Sequence, residues 1–140
     1  MIRALEKADY NKGYSKLLNQ LSDVGKITEQ QFIQWVNQIN SSPLHQVYVI
    51  AESDTVLGSI TLLFEPKLIH SFGKVMHIED VVVDENYRGL GLGSQLIQYG
   101  VCLSKSTGCY KTVLYCNSDR VSFYEKLKFE HKANTMMLYN

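Results

Sequence analysis

Ile78-Glu79-Asp80-Val81-Val82-Val83, followed shortly by Arg88-Gly89-Leu90-Gly91-Leu92-Gly93-Ser94, decides the architecture of this chain. The first run is apolar and β-branched, the signature of a buried strand. The second opens a pattern, Leu92, Leu96, Tyr99 and Leu103, whose apolar positions recur at a helical period. Alternating glycines between a strand and a helix let backbone N–H groups converge without Cβ obstruction. The helix N-terminus adds unpaired N–H groups and a partial positive charge, and Arg88 adds a full one. These parts make a site for a phosphate or pyrophosphate; a glycine-rich turn without a ligand is the alternative. Two nucleotide readings fail on particular residues. A P-loop needs Gly-Lys-Ser/Thr at the helix start, and no Lys follows Gly93. The dinucleotide fingerprint spaces its last glycines differently and needs an acid further on, but no Asp or Glu lies between Glu85 and Asp119.

The rest of the chain sets the frame. Its 140 residues suit one domain, 1–140, with a single proper core, and a composition of 45% hydrophobic and 20% charged residues is ordinary for a globular protein. Basic and acidic residues number 14 each, which argues against nucleic acid as a partner. No apolar stretch approaches the length of a membrane span, so no membrane partner is expected. Glu6 and Asp9 interrupt the region where a signal peptide would be apolar. Cys102, Cys109 and Cys116 are odd in number and lack metal or redox spacing. They read as small apolar residues in a reducing cytoplasm. His45, His70, His77 and His131 show no ligand spacing either, and no metal is expected.

Periodicity and turn signals predict a strand at Ile2–Leu5, a helix near Asp9–Leu21 and a second helix from a Thr28–Gln31 capping box to about Ile39. Strands follow at Val47–Glu52 and Gly58–Glu65, joined as a hairpin through Ser53-Asp54, and then at Val75–Val83. After the glycine loop come a helix to about Ser106, a strand at Thr112–Cys116, a short helix at Val121–Leu127 and a last strand at Thr135–Tyr139. Hairpins combined with a crossover make an α/β fold with a mixed central sheet flanked by helices.

Arg-Gly-x-Gly-x-Gly after a Val-rich strand resembles the pyrophosphate loop of the acetyl-CoA-dependent N-acetyltransferase (GNAT) superfamily. Four further motifs sharpen this: Leu21-Ser22-Asp23-Val24-Gly25, Lys67-Leu68-Ile69-His70, His77-Ile78-Glu79-Asp80 and Gly108-Cys109-Tyr110-Lys111. With Phe123-Tyr124-Glu125-Lys126 they resemble the eukaryotic glucosamine-6-phosphate N-acetyltransferases from Ile2 to about Phe129. The resemblance implies the GNAT acyl-CoA N-acyltransferase fold. It also implies acetyl transfer from acetyl-CoA to an amino-sugar phosphate, and a homodimer paired through C-terminal segments such as Met136-Met137-Leu138-Tyr139. It assigns Val81, Val82, Val83, Arg88, Gly89, Leu90, Gly91, Leu92, Gly93, Ser94 and Arg120 to the cofactor. It assigns Ser22, Lys67, Leu68, Ile69, His70, Tyr110 and Lys111 to the sugar phosphate, with Glu79 and Asp80 at the amine.

Chemistry gives these residues roles. An ammonium group must lose a proton before it attacks a thioester, and Glu79 and Asp80 are candidates to bind and deprotonate it. As strand neighbours they should point to opposite faces, unless a bulge intervenes. Taken alone, either acid could simply pair with a cation. The resemblance makes Tyr124 the donor to the departing thiolate; taken alone, Tyr124 reads as a core aromatic beside Phe123. Four positions depart from the family pattern. Tyr115 stands where an acid is usual, Arg120 where Asn is, Lys128 where Gly closes a helix, and Tyr139 near a usual Arg. A different small amine or peptide substrate, or a non-catalytic acetyl-CoA-binding module, are the alternatives that these departures leave open.

Overall fold

A strand buried on both faces lies mid-sheet, and Thr55–Pro66 is such a strand: Val56 faces one apolar cluster while Leu57, Ile60, Leu62 and Phe64 face another. The computed structural model describes residues 1–140 and builds the sheet around it. In chain order the elements are β1 (Ile2–Ala4), α1 (Tyr14–Leu18), α2 (Glu29–Asn40), β2 (His45–Glu52), β3 (Thr55–Pro66), α3 (Ile69–Phe72), β4 (Lys74–Val83), α4 (Leu92–Ser106), β5 (Cys109–Leu114) and α5 (Val121–Lys126). The five strands lie in the order β1-β2-β3-β4-β5. The first four pair antiparallel and β5 joins β4 in parallel, so the sheet is mixed, as predicted. α1 and α2 cover one face, with Tyr14, Leu17, Phe32, Val36 and Ile39 packed on Val47, Val49, Val56 and Val82. α4 covers the other, with Leu96 and Ile97 packed on Ile60, Leu62, Met76 and Ile78.

Local chemistry explains most element ends. The Thr28 side chain accepts the Gln31 N–H while Gln31 reaches back to the Thr28 N–H, the predicted capping box at the start of α2. Lys128 holds φ +70 just past α5, the left-handed role for which Gly is usual. Its N–H donates to Glu125 O, and that of Phe129 to Tyr124 O, at 2.9 and 3.1 Å, a Schellman closure that brings the Phe129 ring against Tyr124.

The expected helix over Asp9–Leu21 is broken. A 3-10 turn covers Lys7–Tyr10, Gly13 takes φ +82, and only Tyr14–Leu18 is α-helical. The break serves Asp9, whose buried carboxylate takes two bonds from Arg3 at 2.8 and 2.7 Å and one from the Glu6 N–H. Strand β5 begins and ends earlier than predicted, at Cys109–Leu114, because its pairing starts beside Lys74. The predicted strand at Thr135–Tyr139 is absent: the chain after Phe129 forms no helix or strand, and Met136 to Tyr139 are exposed. A strand needs an edge to pair with, and this tail meets none within its own chain. Cys102 and Cys116 are exposed, not core residues, although all three cysteines are free.

Candidate active site

The site begins with a bulge. Thr61 pairs with Glu79 and Ser59 with Val82, so β4 spends one residue more than β3 over the same span. Asp80 absorbs the excess at φ +47, a strained value for a non-glycine residue. This is the bulge that the sequence left open, and with it both Glu79 and Asp80 line one cavity. Pairing between β4 and β5 ends at Ile78 and Leu114, while β4 continues to Val83. The two strands part there, leaving backbone groups of Glu79–Val83 without a partner on β5.

A cavity of about 200 Å³ opens in this fork, lined by Leu21, Ile78, Glu79, Asp80, Val81, Leu114, Tyr115 and Tyr124. Burial pushes the Glu79 carboxyl above its ordinary range, the Asp80 charge adds to this, and His77 opposes it. Burial likewise raises the Tyr124 hydroxyl, helped by Cys116 and opposed by Arg120. A phenol held protonated is a proton donor. A larger cavity of about 360 Å³ between α1 and α2 is lined mainly by apolar groups, including Leu18, Ile27, Phe32 and Trp35. It carries no carboxylate and no cation, so the fork is the chemically equipped site.

The glycine loop adjoins the fork. Gly89 and Gly91 take φ +78 and +79, and a Cβ at either would meet no atom within 4 Å, so the space beside the loop is open. Gly91 caps α4, whose first N–H groups have no carbonyl of the helix's own to meet. Arg88 is anchored by Nε to Val83 O at 3.1 Å, which ties the loop to the end of β4.

The predicted phosphate-side residues also come together, but elsewhere. His70 stacks on Tyr110 with ring centroids 4.1 Å apart, and the Lys111 ammonium lies 5.7 Å from the same ring. The Lys67 ammonium pairs with Glu65, whose other oxygen holds His77 Nε2 at 2.8 Å. Lys67, His70, Tyr110 and Lys111 gather at the β3–β4 turn and the start of β5, and none of them lines the cavity. Lys111 pairs with Val75, four positions before Glu79 on β4, which at the rise of a strand is roughly 13 Å away. Ser22 follows α1 beside Leu21 and is exposed; Arg120 caps α5 beside Tyr124.

A sequence model of the acetyltransferase (GNAT) family matches residues 3–129. The chain is 42% identical over 141 residues to glucosamine 6-phosphate N-acetyltransferase 1 of Dictyostelium discoideum, covering 98% of this chain and 88% of the relative. The chain belongs to the GNAT acetyltransferases. It is also 36% identical to the glucosamine 6-phosphate N-acetyltransferase of Arabidopsis thaliana over 99% of this chain and 95% of that one. The crystal structure of the Arabidopsis enzyme superposes with a TM-score of 0.96, covering 99% of this chain and 97% of that chain. The GNAT fold predicted from the sequence is therefore the fold observed.

Within this acetyltransferase, sequence reasoning missed several contributors. Leu21, Ile78 and Leu114 form the apolar wall of the cavity, and single apolar residues carry no chemical signal. Tyr115 had been marked as a departure from the family, and it proves to line the cavity beside both acids. The α3 turn was also missed: His70, Ser71 and Phe72 all hold left-handed φ, at 55, 56 and 58 degrees. That turn leaves Leu68, Ile69 and Phe72 exposed at 77%, 61% and 80%.

Proposed function

We propose that this acetyltransferase moves the acetyl group of acetyl-CoA to the amine of glucosamine 6-phosphate. The products are N-acetylglucosamine 6-phosphate and coenzyme A, on the route to UDP-N-acetylglucosamine. The parting of β4 from β5 beside the glycine loop carries this reading. It places Glu79, Asp80 and Tyr124 around one cavity next to an open anion site. The sugar phosphate is supported by the names of the relatives and by the gathered basic residues Lys67, His70 and Lys111.

The parts divide the chemistry. Backbone N–H groups of Gly89–Ser94, with Arg88, receive the pyrophosphate, and Leu90 and Leu92 flank it. The backbone of Val81, Val82 and Val83, free on the side that β5 has left, runs beside the pantetheine chain as a strand edge would. N–H groups of the same stretch hold the carbonyl oxygen as negative charge develops on it. Glu79, beside Asp80, accepts the proton that the ammonium must lose, directly or through water. The amine nitrogen then bonds to the carbonyl carbon, the carbon–sulfur bond breaks, the Tyr124 hydroxyl gives its proton to the sulfur, and the second proton that the nitrogen loses restores the phenol. One proton per turnover passes to solvent. These steps require no metal.

The proposed assembly is a homodimer. Met136, Met137, Leu138 and Tyr139 are exposed and unpaired, the outer edge of β5 is free, and Leu68, Ile69 and Phe72 add a second apolar surface. Tail exchange between two copies covers these surfaces. Three free cysteines, two of them exposed, support a cytoplasmic location. Mass analysis of the sugar after incubation with acetyl-CoA tests the reaction. The reading expects one acetyl group on nitrogen; an unmodified glucosamine 6-phosphate pool beside bound acetyl-CoA contradicts it.

A further inference from the structure

His77 has no part in the chemistry above, yet it is held more firmly than an idle surface histidine. It lies two residues before Glu79 on β4, ahead of the bulge, so both side chains leave the same face of the sheet. Its Nε2 is 2.8 Å from Glu65 Oε2 across the sheet, and the second Glu65 oxygen is taken by Lys67. The bonds from Lys67 and from His77 hold the Glu65 carboxyl below its usual range. An ionised carboxylate only accepts hydrogen bonds, so Nε2 is the donor and the ring orientation is set. His77 therefore stands between two carboxylates, one clamping it and one in the cavity.

We propose that His77, clamped by Glu65, is a positioning residue that keeps Glu79 ionised and ready to accept a proton. The proposal rests on the reading of Glu79 as the group that takes the amine's proton. Glu79 needs such help because the cavity both buries it and sets Asp80 beside it, two influences that favour the protonated, useless form. The other groups facing Glu79 are not basic. Thr61 opposite it on β3 is neutral, and Tyr115 after β5 and Tyr124 on α5 bring phenols. Tyr14 on α1, a phenol pushed up to about 12 by burial, acts on Asp80 and not on Glu79. Lys111 on β5 pairs beside Val75, further along the strand than His77. His77 is thus the nearest basic side chain to Glu79 on that face, and it is the group that draws the Glu79 carboxyl down. Lys67 contributes at one remove, by holding the clamp.

The test uses the full chain and reads Glu79 directly. Carboxyl carbon-13 NMR of the unliganded protein follows the Glu79 titration in the wild type, His77→Gln, His77→Arg and Glu65→Gln. The Glu79 midpoint is expected to move upward in His77→Gln and by less in Glu65→Gln, where the ring remains but its clamp is gone. It should return toward the wild-type position in His77→Arg, which puts a basic side chain back within reach of Glu65. In kinetics, His77→Gln should lower kcat/KM at pH 6 on the order of fivefold while leaving it within about twofold at pH 8.5, where Glu79 is ionised without help. An unchanged Glu79 midpoint in a well-dispersed His77→Gln spectrum overturns the proposal. So does a loss that is equal at both pH values and is not rescued by Arg, since that is the mark of a structural role. Full turnover by Glu79→Gln overturns the proton-acceptor reading instead, and the two failures are read in different measurements.

Discussion

At the residue scale, the site joins two kinds of side chain, and only one kind was legible. Glu79, Asp80 and Tyr124 carry chemistry that a reader of sequence can weigh, because acids inside an apolar strand are costly unless used. Leu21, Tyr115 and His77 acquire meaning only from what the fold sets beside them. The relation between the two acids turns on one residue: strand alternation holds until a bulge adds a residue, and Asp80 at φ +47 is that residue. Tyr124 offers the sharpest single substitution. Tyr124→Phe keeps the ring contacts to Phe123 and Phe129 and removes only the hydroxyl. If the hydroxyl protonates the departing thiolate, kcat falls about a hundredfold while acetyl-CoA affinity changes little. Pre-steady-state turnover together with calorimetric titration separates the two quantities.

At the element scale, the strand–loop–helix unit from Lys74 to Ser106 was legible almost to the residue, because β-branched residues, glycines and helical periodicity agree there. α1 was not, since the apolar spacing from Asp9 to Leu21 continues through Gly13 while the backbone does not. Gly91→Val tests the loop. Its Cβ would meet no protein atom within 4 Å, so the fold should survive, although φ +79 strains a β-branched residue. The side chain enters the space left for pyrophosphate, and acetyl-CoA affinity should drop at least about tenfold by calorimetry with near-native circular dichroism. Lys128→Gly tests the opposite case, a left-handed position filled by the wrong residue. Relieving φ +70 at the end of α5 should raise stability by about 1 kcal/mol in urea denaturation. The Schellman closure that seats Phe129 on Tyr124 is retained.

At the scale of the whole molecule, the layered fold was legible and the fate of the tail was not. Met136-Met137-Leu138-Tyr139 has the composition of a strand, but strand formation depends on pairing, and within its own chain the tail pairs with neither edge of the sheet. If the proposed homodimer pairs through this tail, removing residues 130–140 should give a monomer in sedimentation experiments while the five-stranded sheet stays folded. The central claim concerns substrate, and the whole molecule carries it: a fork for the thioester, acids for the amine and cations for the phosphate. Release of free thiol from acetyl-CoA, followed with glucosamine 6-phosphate, glucosamine and glucose 6-phosphate in parallel, tests it most directly. The account predicts rapid release with glucosamine 6-phosphate, a kcat/KM lower by at least about a hundredfold with glucosamine, and none with glucose 6-phosphate, which has no amine. Equal rates with glucosamine and its 6-phosphate, or no release with either while acetyl-CoA binds, would contradict it.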